Sequence, residues 1–388
     1  MPIKVCKKCG VQVGKDGDTE NWWCPNCKAS YTSYLEKYKI VVMGKSAGKK
    51  TGKTHFANCL AKEWRKMGHV VIEMTYEDLY TIPPAYDFGN CFKHKKPISI
   101  RFIEYIHSPD FIFVEQMYYR LDRSEVKTPV IYQHREYTHF PDLVDPDILF
   151  ASYPWRLHAF EFYLPWEYHN IPYIDYNFVA VDEDQFKPVE EKIIKGVSYI
   201  GWAFAFWQFA EANGPWAHMV ISDQESFLDT CLDMECIHYI KEGLDHDAFR
   251  EMLGQCEAFL VDSGYYGAFG RRLIEPMMLK TLAVVRIHHK MQEDFYEEIG
   301  LTDEMCYFIR TPEDIKNLKW TEEERKAKIE KAYEWVQQHT YKIRAEEVLE
   351  KFEDFKSGTK KQPVYMGWKK LDIVCGIHDG QLMVTKSE

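Results

Sequence analysis

The sequence predicts an α/β protein made of two Rossmann-like domains that face a cleft, preceded by a small zinc ribbon. Three observations predict this architecture. Two Cys-x-x-Cys pairs stand near the N-terminus. An apolar run at residues 39–43 is followed by a glycine-rich turn and an amphipathic helical pattern. A second alternation of apolar runs and helical patterns begins near residue 197, and such alternation is typical of parallel sheets covered by helices.

The composition is that of a globular protein with two or three domains. The chain has 388 residues, of which 46% are hydrophobic and 28% charged. No apolar run approaches the roughly 20 residues of a membrane span, and the N-terminus does not resemble a signal peptide. Four of the 11 cysteines belong to the two pairs and the rest are scattered, as in proteins with reduced thiols. We therefore expect a cytoplasmic protein (in the host cytoplasm if it is viral) without a membrane partner.

The net charge of −11 is unevenly distributed along the chain. Residues 1–100 carry 17 Lys and Arg against 9 Asp and Glu, whereas the remainder carries 32 against 51. A basic first quarter on an acidic chain indicates that one face binds an anion. The alternative is a chance clustering of solvated lysines.

The N-terminal cysteines have the spacing of a metal site. Cys6 and Cys9 form one Cys-x-x-Cys pair, Cys24 and Cys27 form the other, and 14 residues separate them. Each pair can turn two thiolates inward, which completes a tetrahedral site suited to zinc, and an iron site with the same four sulfurs stays possible. Because four cysteines leave no open coordination position, the metal would be structural.

Small zinc ribbons often dock on nucleic acid or protein. Charged and stacking side chains are present here, namely Lys4, Lys7, Lys8, Trp22 and Trp23. Alternatively, the ribbon is a cap on the next domain, with its tryptophans buried in that contact.

Apolar periodicity organises the rest of the chain. A strand at 39–43, a helix at about 54–67 that places Phe56, Leu60 and Trp64 on one face, and a strand at 69–74 form a β-α-β unit. Residues 28–38 look like a linker. The predicted division is a zinc ribbon at 1–33, an N-terminal acceptor domain at 39–180, a C-terminal donor domain at 190–320, helices at 321–357 and a tail at 358–388. Ligands of such sheets bind at the carboxyl ends of the strands.

The turn after the first strand, GKSAGKKTGKT, is close to a nucleotide-binding P-loop. The P-loop pattern ending at Gly52-Lys53-Thr54 requires glycine at position 47, which is Ala47. Asp262 or Glu115 could supply the partner carboxylate of an NTPase, which is one alternative. The turn could instead bind a phosphodiester chain with the helix N-terminus behind it. Its candidate acceptor- or phosphate-binding residues are Gly44, Lys45, Gly48, Lys49, Lys50 and Lys53.

Residues 243–285 resemble the donor-binding half of GT-B glycosyltransferases, especially the large family-4-type group. The matching features are a strand ending at Asp262-Ser263, a Gly267-Ala268-Phe269-Gly270 turn, a helix opening with Glu275-Pro276-Met277 and a further strand at 282–286. Segments 129–136, 173–188 and 197–201 resemble other parts of the family in the same order, so the resemblance covers roughly residues 39–350. It implies a nucleotide-sugar donor, most plausibly a UDP-sugar, and it makes the opening turn the first β-α turn of the acceptor domain.

The resemblance assigns roles position by position. It places Glu275 on the ribose hydroxyls, where a carboxylate can accept two hydrogen bonds; otherwise Glu275 is a carboxylate favoured by the helix dipole. His134 would face the sugar unless it is structural, and Glu136 is a candidate base. The remaining donor-binding candidates would hold the diphosphate, and they are Gly201, Phe269, Gly270, Arg271 and Arg272. One of the two arginines could instead pair with an acidic neighbour.

Two departures from the family pattern bear on the chemistry. The first Glu of the family's Glu-x7-Glu pair is Gly267 here. The basic residue that commonly follows the first donor strand is missing from residues 201–211, and Arg271 or Arg272 could replace it. The sugar and the stereochemical outcome stay open, with retention favoured by family analogy.

These features lead to three hypotheses about the function. In the first, the enzyme transfers a sugar to a hydroxymethylated pyrimidine in DNA, as viral (phage) enzymes do; the ribbon, the basic first quarter and the lysine-rich turn motivate it. In the second, it acts on a glycan, lipid carrier or small metabolite. In the third, the chain is a zinc-ribbon binding module on a P-loop or inactive GT-B scaffold.

Overall fold

The structure is a computed structural model that describes a series of segments along the chain. These segments are residues 3–5, 14–15, 22–24, 29–31, 35–44, 56–75, 98–115, 121–134, 145–151, 171–200, 225–240, 244–262, 270–288, 290–361, 373–378 and 381–386. They divide into two compact units. The first contains the described residues within 1–152, 163–177 and 345–363, and the second those within 178–344 and 364–388.

Short antiparallel strands occupy the N-terminal segment. They form a three-stranded sheet and a separate pair. The three-stranded sheet contains β2 (Gly14–Lys15), β3 (Trp22–Cys24) and β4 (Ala29–Tyr31), and β1 (Ile3–Val5) pairs with β5 (Leu35–Lys37). The predicted linker at 28–38 therefore contains two strands, β4 and β5.

A six-stranded parallel sheet forms the core of the first unit, in the order β13-β12-β11-β9-β6-β7. All side chains of β9 and β12 are buried, as a parallel sheet covered on both faces requires. Strands β8 and β10 form a separate two-stranded parallel pair. The strands are β6 (Lys39–Gly44), β7 (Val70–Thr75), β8 (Ile98–Ser99), β9 (Phe111–Glu115), β10 (Leu121–Asp122), β11 (Val130–His134), β12 (Ile148–Ala151) and β13 (Tyr173–Tyr176).

Helix α1 (Phe56–Lys66) buries the face that its periodicity predicts. Phe56, Leu60 and Trp64 are each at most 1% exposed, which confirms that prediction. The indole of Trp64 donates to the backbone oxygen of Ala345 at 3.0 Å. The second helix of this unit, α2 (Arg101–His107), precedes β9.

A five-stranded parallel sheet forms the core of the second unit, in the order β15-β14-β16-β17-β18. Its helices include α3 at residues 225–233, which follows β14 and precedes β15. The other elements are β14 (Ile194–Ile200), β15 (His238–Ile240), α4 (His246–Gln255), β16 (Cys256–Val261), α5 (Arg271–Met278), β17 (Leu282–Arg286), α6 (Lys290–Glu298), β18 (Tyr307–Ile309) and α7 (Pro312–Asn317).

The C-terminal charged segment is a helix pair interrupted by one 3₁₀ turn. Helix α8 (Glu322–Val336) begins with a capping box, in which Thr321 and Glu324 satisfy each other's backbone N–H groups. The 3₁₀ turn at Gln337–His339 ends at Thr340, and α9 (Tyr341–Lys356) follows. The tail contains an antiparallel pair, β19 (Ile373–His378) and β20 (Gln381–Lys386).

The structure adds strands that periodicity did not predict, among them β8, β10, β12, β13 and β18. Strands β12 and β18 are only four and three residues long, and β13 carries Asp175 in an otherwise apolar run. The buried Asp175 carboxylate binds the ammonium groups of Lys351 (3.3 Å) and Lys361 (2.7 Å). The apolar pattern of the sequence also predicts a strand at residues 219–222, which lie outside the described residues.

Candidate functional site

Charged side chains gather at the carboxyl ends of the second sheet. Strand β16 is followed directly by Asp262, which is 2% exposed, and β17 ends at Arg286, which is 8% exposed. Charged groups are rarely buried unless they are paired. Ligands of doubly wound sheets bind at this edge, so the buried charges mark it as a candidate ligand site.

Asp262, Arg286 and His288 form a buried ionic group, which we call the Asp262 cluster. Arg286 Nη1 donates to one carboxylate oxygen of Asp262 at 3.0 Å, and His288 Nε2 lies 2.9 Å from the other. The Arg286 guanidinium also lies over the ring of Phe227, with 3.8 Å from Cζ to the ring centroid. The sequence predicts Asp262 as the end of a donor-domain strand and as a candidate partner carboxylate of an NTPase, whereas Arg286 and His288 were not predicted.

Helix α5 brings Arg272 to the end of the first strand of this sheet. Its Nη1 donates to the hydroxyl of Tyr199 at 2.9 Å, and the guanidinium lies 5.6 Å from the centroid of the same ring. Tyr199 is the penultimate residue of β14. Burial raises the pKa of the Tyr199 phenol, so the hydroxyl is neutral at pH 7. Arg272 is thereby held at the carboxyl end of β14.

The other arginine of this helix, Arg271, lies near a carboxylate. Arg271 Nε is 3.9 Å from Oε1 of Glu275, one helical turn away, and Glu275 is 5% exposed. His246, the first residue of α4, lies in the electrostatic field of both groups. Burial lowers the pKa of His246, and the Glu275 carboxylate opposes that shift. A predicted ribose-binding carboxylate therefore has a cation and an imidazole as neighbours. His246 was not predicted from the sequence.

The N-terminus of α5 begins at a glycine with extended backbone. Gly270 is the N-cap residue (φ −112°, ψ 166°), and no side chain among the described residues caps the first turn. A Cβ atom added to Gly270 would meet no atom of the described segments within 4 Å. Such a helix start can approach an anion closely with its backbone N–H groups. The neighbouring candidate Phe269, and Gly201 after β14, lie outside the described residues.

In the first unit, the N-terminus of α1 already holds a carboxylate. Glu115, the last residue of β9, is fully buried and accepts a hydrogen bond from the backbone N–H of Ala57 at 2.6 Å. A P-loop uses this helix terminus for phosphate, so the arrangement argues against a nucleoside triphosphate here. Gly44 is the last residue of β6. The other candidates of the turn, Lys45, Gly48, Lys49, Lys50 and Lys53, lie outside the described residues.

The structure places His134 at the carboxyl edge of the first sheet, as the last residue of β11, paired with Ala151. The adjacent Gln133 is fully buried and exchanges two hydrogen bonds with Asn177, from Nε2 to the backbone oxygen (3.2 Å) and from the Asn177 amide to Oε1 (2.8 Å). This amide pair fixes the strand end that carries His134. Glu136 lies outside the described residues.

The zinc prediction falls mostly outside the described part of the chain. Cys6, Cys9 and Cys27 are not described, and Cys24 is described only as the end of strand β3. Within the described ranges, no three His, Cys, Asp and Glu side chains are grouped to hold a metal ion. No helix in those ranges is long and apolar enough to cross a membrane.

Comparisons with known proteins find similarity in structure alone. No model of a known protein family matches the sequence, and no curated protein matches it either. A sucrose-phosphate synthase from Thermosynechococcus elongatus has a TM-score of 0.54 at 11% identity, over 83% of this chain and 100% of that one. A glycosyltransferase from Rickettsia africae ESF-5 has a TM-score of 0.52 at 11% identity, over 84% and 100%.

A third solved structure contains both a nucleotide and DNA. It is an alpha-glucosyltransferase in complex with UDP and a 13-mer DNA containing an HMU base, with a TM-score of 0.51 at 12% identity, over 82% of this chain and 100% of that one. At such low identity the likeness concerns the fold. The chain therefore has an α/β fold with two parallel sheets that resembles the fold of these GT-B glycosyltransferases.

Proposed function

We propose that the protein is a glycosyltransferase that moves a sugar from a nucleotide sugar, namely a UDP-sugar, to a hydroxyl group. The observation that carries the proposal is the arrangement on α5, where Arg272 is fixed on Tyr199 at the end of β14 while the same helix holds the buried Glu275. Cations for a diphosphate and a carboxylate for a ribose thus stand on one rigid element at the ligand edge of the sheet.

Each group has a chemical task in this proposal. Glu275 accepts hydrogen bonds from the ribose hydroxyls. The guanidinium of Arg272 and the N–H groups at the start of α5, near Gly270, bind the diphosphate. Negative charge develops on the diphosphate as the bond to the sugar breaks, and these donors stabilise it. Arg271 is the second cation of this group, shared with Glu275.

The position of Arg272 supports a substitution for a missing family residue. Family members commonly carry a basic residue just after the first donor strand, and residues 201–211 contain none. Arg272 reaches the end of that strand from α5 instead. For the sugar side we propose His134 and Glu136 as the catalytic candidates, with retention of configuration by family analogy. Gly201 and Phe269 complete the proposed donor contacts.

For the acceptor we propose a hydroxymethylated pyrimidine base in phage DNA. One structural neighbour is bound to DNA that contains an HMU base. The basic first quarter of the chain, including Lys45, Lys49, Lys50 and Lys53 in its turn, supplies charge for phosphate contacts. A glycan or small-molecule acceptor is the second candidate, favoured by the neighbour named as a sucrose-phosphate synthase.

The four N-terminal cysteines are proposed to hold one structural zinc ion. Their number and spacing fit a closed tetrahedral site. Metal analysis of the purified protein tests this proposal. One zinc per chain, lost in Cys6→Ser together with Cys9→Ser, is expected, and iron in the same stoichiometry would contradict the metal assignment.

The transfer reaction itself is tested with a panel of radiolabelled nucleotide sugars. Duplex DNA with hydroxymethylcytosine or hydroxymethyluracil is offered beside unmodified DNA, glycans and small sugars. We expect label from a UDP-sugar to enter modified DNA only, and transfer to be lost in Glu275→Ala but kept in Glu297→Ala, a change of an exposed residue on α6. Label in glycans or sugars but not DNA selects the second acceptor. ATP turnover without binding of any nucleotide sugar would overturn the proposal.

A further inference from the structure

The Asp262 cluster lies between the ends of two neighbouring strands, β16 and β17. Strand β16 leads into the proposed donor site. Asp262 directly follows β16, while Arg286 and His288 lie at and just beyond the end of β17. Both carboxylate oxygens of Asp262 are engaged, one by each partner. The cluster therefore ties together two neighbouring strand ends at the edge where the ligand is proposed to bind.

Two further contacts make this connection rigid. Phe227 on α3 lies against the Arg286 guanidinium, at 3.8 Å from Cζ to the ring centroid. The backbone N–H of His288 donates to Oε1 of Gln292 at 2.8 Å, and Gln292 is fully buried. The imidazole of His288 is 3% exposed. The strand ends are thus fixed from the sheet, from α3 and from α6.

Burial of these charges disfavours folding compared with apolar side chains of the same size. Desolvation of an ion pair is only partly offset by its mutual attraction. Apolar residues would fill the space between β16 and β17 without that penalty, as they do along the rest of both strands, where Phe259, Leu260 and Val284 are fully buried. Because the cluster does not stabilise the fold relative to apolar residues, we attribute its place at the ligand edge to the fixed geometry that it gives the two strand ends.

The chain leaves Asp262 and, eight residues later, enters the N-cap of α5 at Gly270. Helix α5 packs against β16 and β17 and carries Arg272 and Glu275. We propose that Asp262, Arg286 and His288 are positioning residues that hold the strand end in the place from which the donor-binding segment starts. This inference rests on the proposed function, since it concerns the same donor site.

A second buried cation in the same unit provides a matched control. The ammonium group of Lys192 donates to the backbone oxygens of Gly254 (2.7 Å) and Leu279 (2.9 Å) and to the hydroxyl of Thr281 (3.1 Å). These acceptors follow or end helices α4 and α5 and precede β17, so they lie at the amino edge of the sheet. Lys192→Met should destabilise the unit without touching the donor edge.

The test measures the binding of UDP and UDP-glucose by calorimetry, together with the melting temperature of each variant. Asp262→Asn keeps the size but removes the charge, and His288→Leu removes the N–H donor. We expect both to weaken UDP binding about tenfold or more, equivalent to about 1.4 kcal/mol. His288→Gln keeps an N–H donor and should bind UDP within about twofold of the wild type. Lys192→Met should bind UDP like the wild type despite a lower melting temperature.

The outcomes separate the cluster from the proposed function. Wild-type affinity for UDP in Asp262→Asn and His288→Leu, with melting temperatures lowered as in Lys192→Met, would show that the cluster is only structural and overturn the inference. If Asp262→Asn does not fold, the comparison of His288→Leu with His288→Gln decides. If the wild-type protein binds no uridine nucleotide, the proposed UDP-sugar donor itself fails and the inference fails with it.

Discussion

The carboxylate of Glu115 and the backbone N–H of Ala57 are joined by a hydrogen bond of 2.6 Å, so the N-terminus of α1 is occupied by an anion that belongs to the protein. The turn that precedes α1 resembles a P-loop in sequence, but the helix end that would bind phosphate faces a buried glutamate instead. A phosphate at that end would be repelled by the carboxylate.

We therefore predict that Lys53 is not needed for nucleotide binding. In a P-loop this lysine contacts the β- and γ-phosphates and its loss abolishes binding. Lys53→Ala should leave the calorimetric affinity for UDP unchanged, and neither protein should turn over ATP. Loss of UDP binding in Lys53→Ala would contradict this prediction.

Glu115→Gln tests the buried contact itself. The neutral amide still offers an oxygen to Ala57, but the charge that complements the helix dipole is gone. We expect the free energy of unfolding to fall by about 1–2 kcal/mol. Chemical denaturation of Glu115→Gln beside Glu73→Gln, a change on the partly exposed β7 carboxylate, measures the difference. Equal stabilities of the two variants would contradict a capping role for Glu115.

The hydroxyl of Tyr199 should matter for the donor. It accepts the hydrogen bond that holds Arg272 at the end of β14. Tyr199→Phe removes this acceptor and keeps the ring, so we expect UDP to bind about three- to tenfold more weakly, equivalent to about 0.7–1.4 kcal/mol. Tyr307→Phe, on β18 at the far end of the sheet, is the control. The idea is wrong if both variants bind UDP with equal strength.

Two histidines, the half-buried His69 and the buried His339, predict loss of stability in acid. His69 Nδ1 accepts the backbone N–H of Tyr38 at 2.9 Å, and burial lowers the pKa of His69 to about 4. Burial, and then the charge of Arg344, lower the pKa of His339 to about 3. The unfolded chain binds protons near pH 6.5 whereas the folded chain does not, so stability is complete above pH 6.5 and declines as pH falls toward 4 and 3.

The expected acid slope is at most about 1.4 kcal/mol per pH unit for each histidine. Denaturation curves between pH 7 and 4.5 measure it. Asn can accept the Tyr38 N–H but does not titrate in this range, so His69→Asn should flatten the slope for the first unit. His238→Asn, at an exposed position, is the control. An unchanged slope in His69→Asn would contradict the assignment.

Lys192 predicts a pH dependence of the same sign at alkaline pH. Burial lowers the pKa of this lysine to about 8, below its usual value of 10.5. Between those values the unfolded chain binds the extra proton, so the contribution of Lys192 to stability rises with pH from about 8 to 10.5. Wild type and Lys192→Met should therefore diverge in stability over this window, and parallel curves from denaturation at pH 7.5 and 9.5 would refute the prediction.

Apolar patterns in the sequence predicted those helices and strands whose burial depends on residues close together in the chain. The apolar spacing of Phe56, Leu60 and Trp64 fixes a buried helix face, and the continuous apolar run of β9 fixes a central strand. Strand β13 was missed because its buried Asp175 is neutralised by Lys351 and Lys361, which are nearly 200 residues away in sequence. Periodicity carries no information on such pairs.

The candidate site shows the same limit. The resemblance around Glu275 places α5 at the proposed donor site. The role of Arg272 as a replacement cation stays a prediction, and its guanidinium donates to the Tyr199 hydroxyl. Arg286 and His288 were not predicted, because a buried cation on a strand otherwise reading LAVV gives no signal until its carboxylate partner is known. Asp262 is distant from these residues in the sequence, and the pairing of β16 with β17 brings it next to them.

The first unit is discontinuous in the chain, because residues 345–361 of α9 and its extension belong to it. Phe352 packs against Phe111, with 4.6 Å between ring centroids, and Ala345 receives the indole of Trp64. During synthesis, a nascent chain that has emerged only as far as residue 344 lacks the helix that covers these aromatic side chains. Although its sheet is encoded first, this half of the protein cannot complete its core on the ribosome before the second half has been made.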